Sequence, residues 1–139
     1  MLKFFRKQKT VETPVISDPT QISDPRTASE FLKRGWAHFT KGQYSQAEKD
    51  FRQAMQLEPE NLDVIYALGL ALKMLGEKEE SVKTFRRVVQ VLEQSTGDAE
   101  DGEDVVRKVM IRRLALGYVN ALTKGDWDLE EEIWRKRIR

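Results

Sequence analysis

The sequence contains no cysteine and a single histidine, His38. Without thiols the chain forms no disulfides, builds no thiolate metal site and offers no thiol nucleophile. One histidine excludes a site that needs paired histidine ligands, and the sequence has no glycine-rich phosphate loop and no nucleophile motif. We therefore expect a protein that is not an enzyme and that holds neither a cofactor nor a metal ion.

Long apolar runs and a large excess of one charge are also missing. No stretch approaches the roughly 18 consecutive apolar residues of a transmembrane helix, and Met1–Lys9 lacks the apolar region of a secretion signal. The 24 basic and 23 acidic side chains leave a formal net charge of +1. A chain of 139 residues fits one folded domain. We predict a cytoplasmic protein.

Proline is concentrated near the start of the chain. Three of the four prolines are Pro14, Pro19 and Pro25, and the residues around them show neither a helical nor a strand periodicity. We therefore predict a flexible N-terminal arm over residues 1–26, followed by a helical domain over residues 27–139.

An internal repeat relates two parts of this domain. The two copies share the six identical pairs given below, whereas random composition would give about two identities. Each copy has apolar residues at helical spacing. Thr27 with Glu30, and Ser45 with Glu48, match the capping box that begins a helix. The identical pairs are Gly35 and Gly69, Ala37 and Ala71, Gly42 and Gly76, Lys49 and Lys83, Phe51 and Phe85, and Arg52 and Arg86.

The pattern resembles the tetratricopeptide repeat family, whose unit of about 34 residues is a pair of antiparallel helices stacked into a solenoid. The resemblance implies an all-α fold, an α-α superhelix of about three helical hairpins. The first repeat would cover positions 28–61, the second positions 62–95, and a divergent third or capping hairpin positions 104–139. The matching residues are Gly35, Tyr44, Ala47, Phe51, Ala54 and Pro59 in the first copy, and Leu68, Gly69 and Phe85 in the second.

The third copy departs from the repeat length. The step from Gly69 to Gly117 is longer than the step from Gly35 to Gly69. The additional chain is predicted to form an acidic loop over positions 96–103 and to lengthen an apolar helix over positions 105–123. We expect Trp127 and Trp134 on the second helix of this capping hairpin.

The resemblance implies that the first helix of each unit lines a concave groove that binds another protein. Leu32, Trp36 and Ala67 stand where family members that clamp a terminal carboxylate need polar groups, which argues against that activity. An apolar, aromatic groove suits an apolar peptide or an amphipathic helix. The alternative is that neighbouring helices already bury the groove residues. These are Leu32, Trp36, Phe39, Tyr66, Leu70, Lys73, Met74, Leu114 and Tyr118.

The favoured function is a non-catalytic adaptor or assembly factor. Two alternatives stay open: a structural subunit that associates with a second copy, and a peripheral protein that makes weak membrane contact through Leu2, Phe4 and Phe5 and the cations around them. The same arm could instead reach the groove. We do not expect nucleic acid as a partner, because the basic residues at 135–139 fit a helix end. His38 is interpreted as a packed or rim residue, and Arg34 as exposed.

Overall fold

The structure, a computed structural model, describes residues 18–94 and 102–125. These ranges contain helices and no strands, which confirms the all-α fold. A short 3₁₀ helix, Pro19–Gln21, precedes five α-helices. They are α1 (Ala28–Thr40), α2 (Tyr44–Leu57), α3 (Leu62–Met74), α4 (Lys78–Gln94) and α5 (Gly102–Lys124). Each α-helix packs against the next along the chain, and α1 also contacts α3.

The first hairpin, α1 with α2, begins at the predicted cap. The Thr27 hydroxyl oxygen accepts from the Glu30 backbone N–H at 3.1 Å, which satisfies a first-turn donor. The hairpin turns at Gly42, whose φ of 76° lies in the left-handed region that glycine adopts without strain. Gly42 is also one of the positions that recur in the second copy, as Gly76.

The predicted capping box at Ser45 and Glu48 is wrong. The N-cap of α2 is Gln43, which makes no side-chain cap hydrogen bond. Its side-chain oxygen lies 2.7 Å from His38 Nδ1 instead. The carboxylate of Glu48 forms an ion pair with Arg52 at 3.0 Å.

The second hairpin, α3 with α4, repeats this plan with different capping chemistry. The Asn61 side chain accepts from the backbone N–H groups of Asp63 and Val64, and the turn is made by Gly76 at φ 81°. The buried Ser81 hydroxyl donates to the Gly69 carbonyl oxygen at 2.8 Å. This bond joins α4 to α3 at Gly69.

Two glycines allow the helices of each hairpin to approach closely. A Cβ added at Gly35 would lie 2.4 Å from Phe51 Cε1, and one added at Gly69 would lie 2.8 Å from Phe85 Cε1. Both phenylalanines are fully buried. The ring of Phe51 on α2 therefore occupies the space that a side chain at position 35 of α1 would need. The ring of Phe85 on α4 does the same for position 69 of α3.

Helix α3 is at the centre of the described stack. On one side Leu68 and Leu72 pack against α2. On the other, Ile65 joins a core with Phe85 of α4 and Ala115 of α5. A helix that is apolar on nearly all sides is expected to be buried in this way.

Residues 18–26, the described part of the segment predicted as an arm over residues 1–26, make contacts with α1. Pro19 is buried, the 3₁₀ helix contacts α1, and Arg34 donates to the Ile22 carbonyl oxygen at 3.3 Å. Asp18 and Lys41 lie 3.8 Å apart. Residues 18–22 therefore cover the outer side of α1. Residues 1–17, most of the acidic loop, Trp127 and Trp134 lie outside the described residues.

Candidate functional site

The predicted groove residues lie on α1, α3 and α5, the first helices of the units. Helices α1 and α3 are in contact, and the rings of Tyr66 on α3 and Tyr118 on α5 have centroids 6.2 Å apart. We call the nine predicted residues the groove face. Seven of them are half-buried, while Met74 and Leu114 are exposed.

The α1 part of the groove face is aromatic. The Trp36 ring makes edge contacts with Phe39 and with Phe51, each with centroids 5.2 Å apart. Phe39 in turn contacts the ring of Tyr44 at 5.1 Å. Leu32 packs partly into the core of α2 and α3. These contacts hold the rings in fixed positions while leaving part of each side chain accessible.

The part between α3 and α5 is built on the ring of Phe85. Tyr118 stacks on Phe85 with centroids 4.9 Å apart and an interplanar angle of 16°, and Tyr66 meets Phe85 edge to ring at 5.8 Å. Burial, followed by the nearby Tyr118, raises the pKa of the Tyr66 hydroxyl well above its ordinary value. Tyr66 is therefore neutral at physiological pH and acts as an apolar ring with a polar tip.

One cation lies on this surface. Lys73 Nζ is 5.4 Å from the centroid of the Tyr118 ring, within the range of a cation–π contact. Leu70 lies on the same helix and packs partly into the core. The chemistry of the groove face is therefore apolar and aromatic, with one positive charge near its middle.

The alternative that neighbouring helices bury these residues applies in part. Helix α5 covers one side of Tyr66 through Tyr118, and Phe51 covers one side of Trp36. None of the nine residues is fully buried. Part of each of these side chains is therefore accessible to another molecule.

A polar network on the outer side of α1 was not predicted. Arg34 makes two hydrogen bonds to Asp50, at 2.7 and 2.8 Å, and His38 Nε2 lies 3.8 Å from the same carboxylate. Arg34 is not exposed as predicted: its side chain is 23% accessible and that of Asp50 is 5%. The hydrogen bond to Asp50 raises the pKa of Arg34.

A comparison of the two repeat copies could have predicted this polar network. The step that relates the two copies takes Arg34 to Leu68 and His38 to Leu72, and it takes Asp50 to Thr84. The polar changes thus occur together, on the two helices that face each other. They support the fold and lie away from the groove face.

Within residues 18–94 and 102–125, no group of three or more acidic or histidine side chains is placed to hold a metal ion. None of the helices described is both long enough and apolar enough to cross a membrane.

These features define a class: a helical repeat protein in which close hairpins stack and the first helices present a shared apolar face. Residues 38–100 match the family model described as tetratricopeptide repeat. This match confirms, over residues 38–100, the resemblance to that family seen in the sequence.

A curated relative is similar over a longer range. Superkiller complex protein 3 from Mus musculus is 33% identical to this chain over 88 residues, which is 63% of the chain and 6% of the relative. The chain thus spans only a small part of that protein. Tetratricopeptide repeats in general bind other proteins, and this chain is an interaction module in that general sense.

Proposed function

We propose that this protein is a non-catalytic adaptor or assembly factor that binds an apolar peptide or an amphipathic helix of another protein on its groove face. The single observation that supports this most is the row of half-buried aromatic rings across three helices. Trp36, Phe39, Tyr66 and Tyr118 are already held by ring contacts. A peptide that covers them does not need to order them first, so less entropy is lost on binding.

The two exposed members suggest where a ligand would gain most. Met74 is 44% accessible and Leu114 is 39% accessible. Burying a large apolar side chain contributes about 1.5–3 kcal/mol, and methionine adapts to ligands of different shape. Lys73 adds a preference for an acidic or carbonyl-rich flank on the ligand.

A selection from a random peptide display library tests this proposal. We expect the selected peptides to carry large apolar side chains at helical or alternating spacing. Met74→Glu is expected to weaken their binding more than about tenfold, because it places a charge in an apolar contact. Gln53→Glu, at an exposed position of α2, is the control and should leave affinity unchanged. Selected peptides that bind both variants equally would place the site elsewhere and end the proposal.

The cytoplasm as the compartment remains a prediction. So does weak membrane contact by Met1–Lys9, which lies outside the described residues.

A further inference from the structure

Lys73 is the one charged residue of the groove face. It lies in the last turn of α3 and is half-buried, and its Nζ is 5.4 Å from the centroid of the Tyr118 ring. That ring is itself held in place, because it stacks on the buried Phe85 with centroids 4.9 Å apart. The ammonium group is therefore supported by an aromatic ring in apolar surroundings.

Two other cations of the first helices are already paired with carboxylates. Arg107 of α5 pairs with Asp63 of α3, and Arg34 of α1 pairs with Asp50. Within residues 18–94 and 102–125, no carboxylate forms an ion pair with Lys73. The charge of Lys73 is therefore available to a ligand.

A ligand that covers the exposed part of the groove face also covers Lys73. Met74, which is 44% accessible, is the next residue on α3, and Leu114 lies about one helical turn before Tyr118 on α5. A ligand side chain that packs on either residue therefore lies close to the ammonium group. Removing water from an ammonium group is unfavourable unless the ligand supplies a hydrogen-bond acceptor in its place.

A carboxylate is the acceptor that fits best. Its hydrogen bond to an ammonium group is charge-assisted and roughly twice as strong as one between neutral groups. A backbone carbonyl or a side-chain amide leaves the positive charge unbalanced in an apolar contact. A segment that is both apolar and basic is disfavoured for the same reason. Residues 1–9 of this chain are such a segment, since they contain the cations Lys3, Arg6, Lys7 and Lys9.

We propose that the groove face selects acidic ligands: an apolar peptide or amphipathic helix with an aspartate or glutamate side chain that pairs with Lys73. This inference rests on the proposed function and adds the charge of the partner to it. The carboxylate lies about one helical turn, or about two residues of an extended peptide, from the large apolar side chain that packs on Met74 or Leu114. Lys73 is therefore the residue that determines which ligand charge is accepted.

Peptide selection on the full chain and its variants tests the proposal. The original chain should enrich peptides that carry Asp or Glu near a large apolar residue. Lys73→Met removes the charge and keeps an apolar stem, so the enrichment of acids should be lost. Lys73→Glu should reverse it and enrich Lys and Arg. Lys49→Met, the same change at an exposed position of α2, is the control and should select the same acidic peptides as the original chain.

The outcomes separate this inference from the proposed function. Apolar peptides without enrichment of acids on the original chain would show that the groove face binds peptides without reading their charge, and would overturn the inference alone. Equal enrichment of acids on Lys73→Met would place the pairing cation elsewhere and overturn it too. A selection that yields no apolar peptide at all would end the proposed function and this inference with it.

Measured affinities then test the ion pair itself. Replacing Glu by Gln in a selected peptide should weaken binding to the original chain at least about fivefold. The same replacement should leave binding to Lys73→Met unchanged, because that variant has no ammonium group to pair. Added salt should shrink the difference on the original chain. Amidation of the peptide's C-terminus should have no effect, and a loss of affinity on amidation alone would assign the charge to the chain end and overturn the side-chain pairing.

Discussion

The glycine–phenylalanine contacts set the distance between helices at the scale of single residues. Gly35 and Gly69 have no room for a Cβ, because the Phe51 and Phe85 rings lie against their backbone. Neither ring has a free side toward which it can move, since both are fully buried. Because the interior is closely packed, a side chain added at either glycine would push the two helices of the hairpin apart.

Replacing these glycines with alanine should destabilise the protein in a definite order. Overpacking costs about 1–3 kcal/mol, while alanine regains up to about 1 kcal/mol of helix propensity. We expect Gly35→Ala to lower the free energy of unfolding by about 1–2 kcal/mol, because the new Cβ would lie 2.4 Å from the Phe51 ring. Gly69→Ala should lower it less, because its Cβ would lie 2.8 Å from the Phe85 ring. Urea unfolding measures both. The control is Gly102→Ala, which meets nothing within 4 Å and should not destabilise. Equal effects at all three positions would contradict this account.

Helix α1 differs from α3 mainly in the polar network on its outer side. Arg34 and His38 occupy the positions where α3 has the buried Leu68 and Leu72. On α3 those leucines pack against the first hairpin, whereas the corresponding side of α1 is covered by residues 18–22. Arg34, which pairs with Asp50, therefore ends the apolar layer there.

Removing one partner of the Arg34–Asp50 pair should destabilise the fold, whereas replacing both partners should not. Removing one partner of a buried pair costs about 3–5 kcal/mol. Because Arg34 is partly accessible, we expect Asp50→Ala to lose about 2–3 kcal/mol. The double change Arg34→Leu with Asp50→Thr copies the second unit and should unfold within about 1 kcal/mol of the original chain. If the double variant is as unstable as Asp50→Ala, the lost stability does not come from the unpaired charge.

A second ion pair connects α2 and α4 and depends on pH. Arg52 lies 2.6 Å from Glu80, and this hydrogen bond lowers the pKa of Glu80 below its ordinary value of 4.5. A lowered pKa in the folded state adds stability above pH 4.5, and that stability is lost as the pH falls through the folded value. Both side chains are more than a third accessible, so the gain is below about 1 kcal/mol.

Glu80→Gln should therefore reduce stability at pH 7 by a few tenths of a kcal/mol, and the difference should vanish near pH 3. Urea unfolding of both chains at the two pH values measures this. Added salt at pH 7 should also shrink the difference. The pKa of the neighbouring Glu77 is raised by its hydrogen bond to Glu80. The titration of Glu77 therefore changes stability with pH in the opposite direction. A variant that is destabilised equally at pH 3 and pH 7 would show that the charge is not responsible.

The sequence was enough to predict the elements whose signals are local or repeated. The cap at Thr27 was predicted correctly because a capping box is a local pattern. Gly35, Gly42 and Phe51 could be singled out because each recurs in the second copy. The Ser45 cap was wrong because the N-cap of α2 is Gln43, which makes no side-chain cap hydrogen bond and so carries no capping signal in the sequence. The packing of residues 18–22 on α1 and the exposure of Val106, Val109 and Met110 on α5 depend on contacts between helices, which local sequence patterns do not contain.

The stability of the whole molecule rests on contacts between neighbouring units. The core of Ile65, Phe85 and Val88 is closed on one side by Ala115 and Val119 of α5. In a repeat stack each unit buries its apolar face only against the next, so about three units are needed for a stable fold. The first and second hairpins alone would leave this core open to water.

A chain that ends at Gln94 should therefore lose cooperative unfolding, with a broad urea transition and exposed apolar surface that binds a hydrophobic dye. A chain that begins at Asp18 is the control, because it keeps every contact among the described residues, and its midpoint should be unchanged. A chain that begins at Thr27 should lie between them, since it loses Pro19 and the bond from Arg34 to Ile22 but keeps α5. If the chain that ends at Gln94 unfolds as sharply as the full protein, the first two hairpins form an independent unit. Helix α5 would then be an attachment to the stack, because a layer that supports the core cannot be removed without opening it.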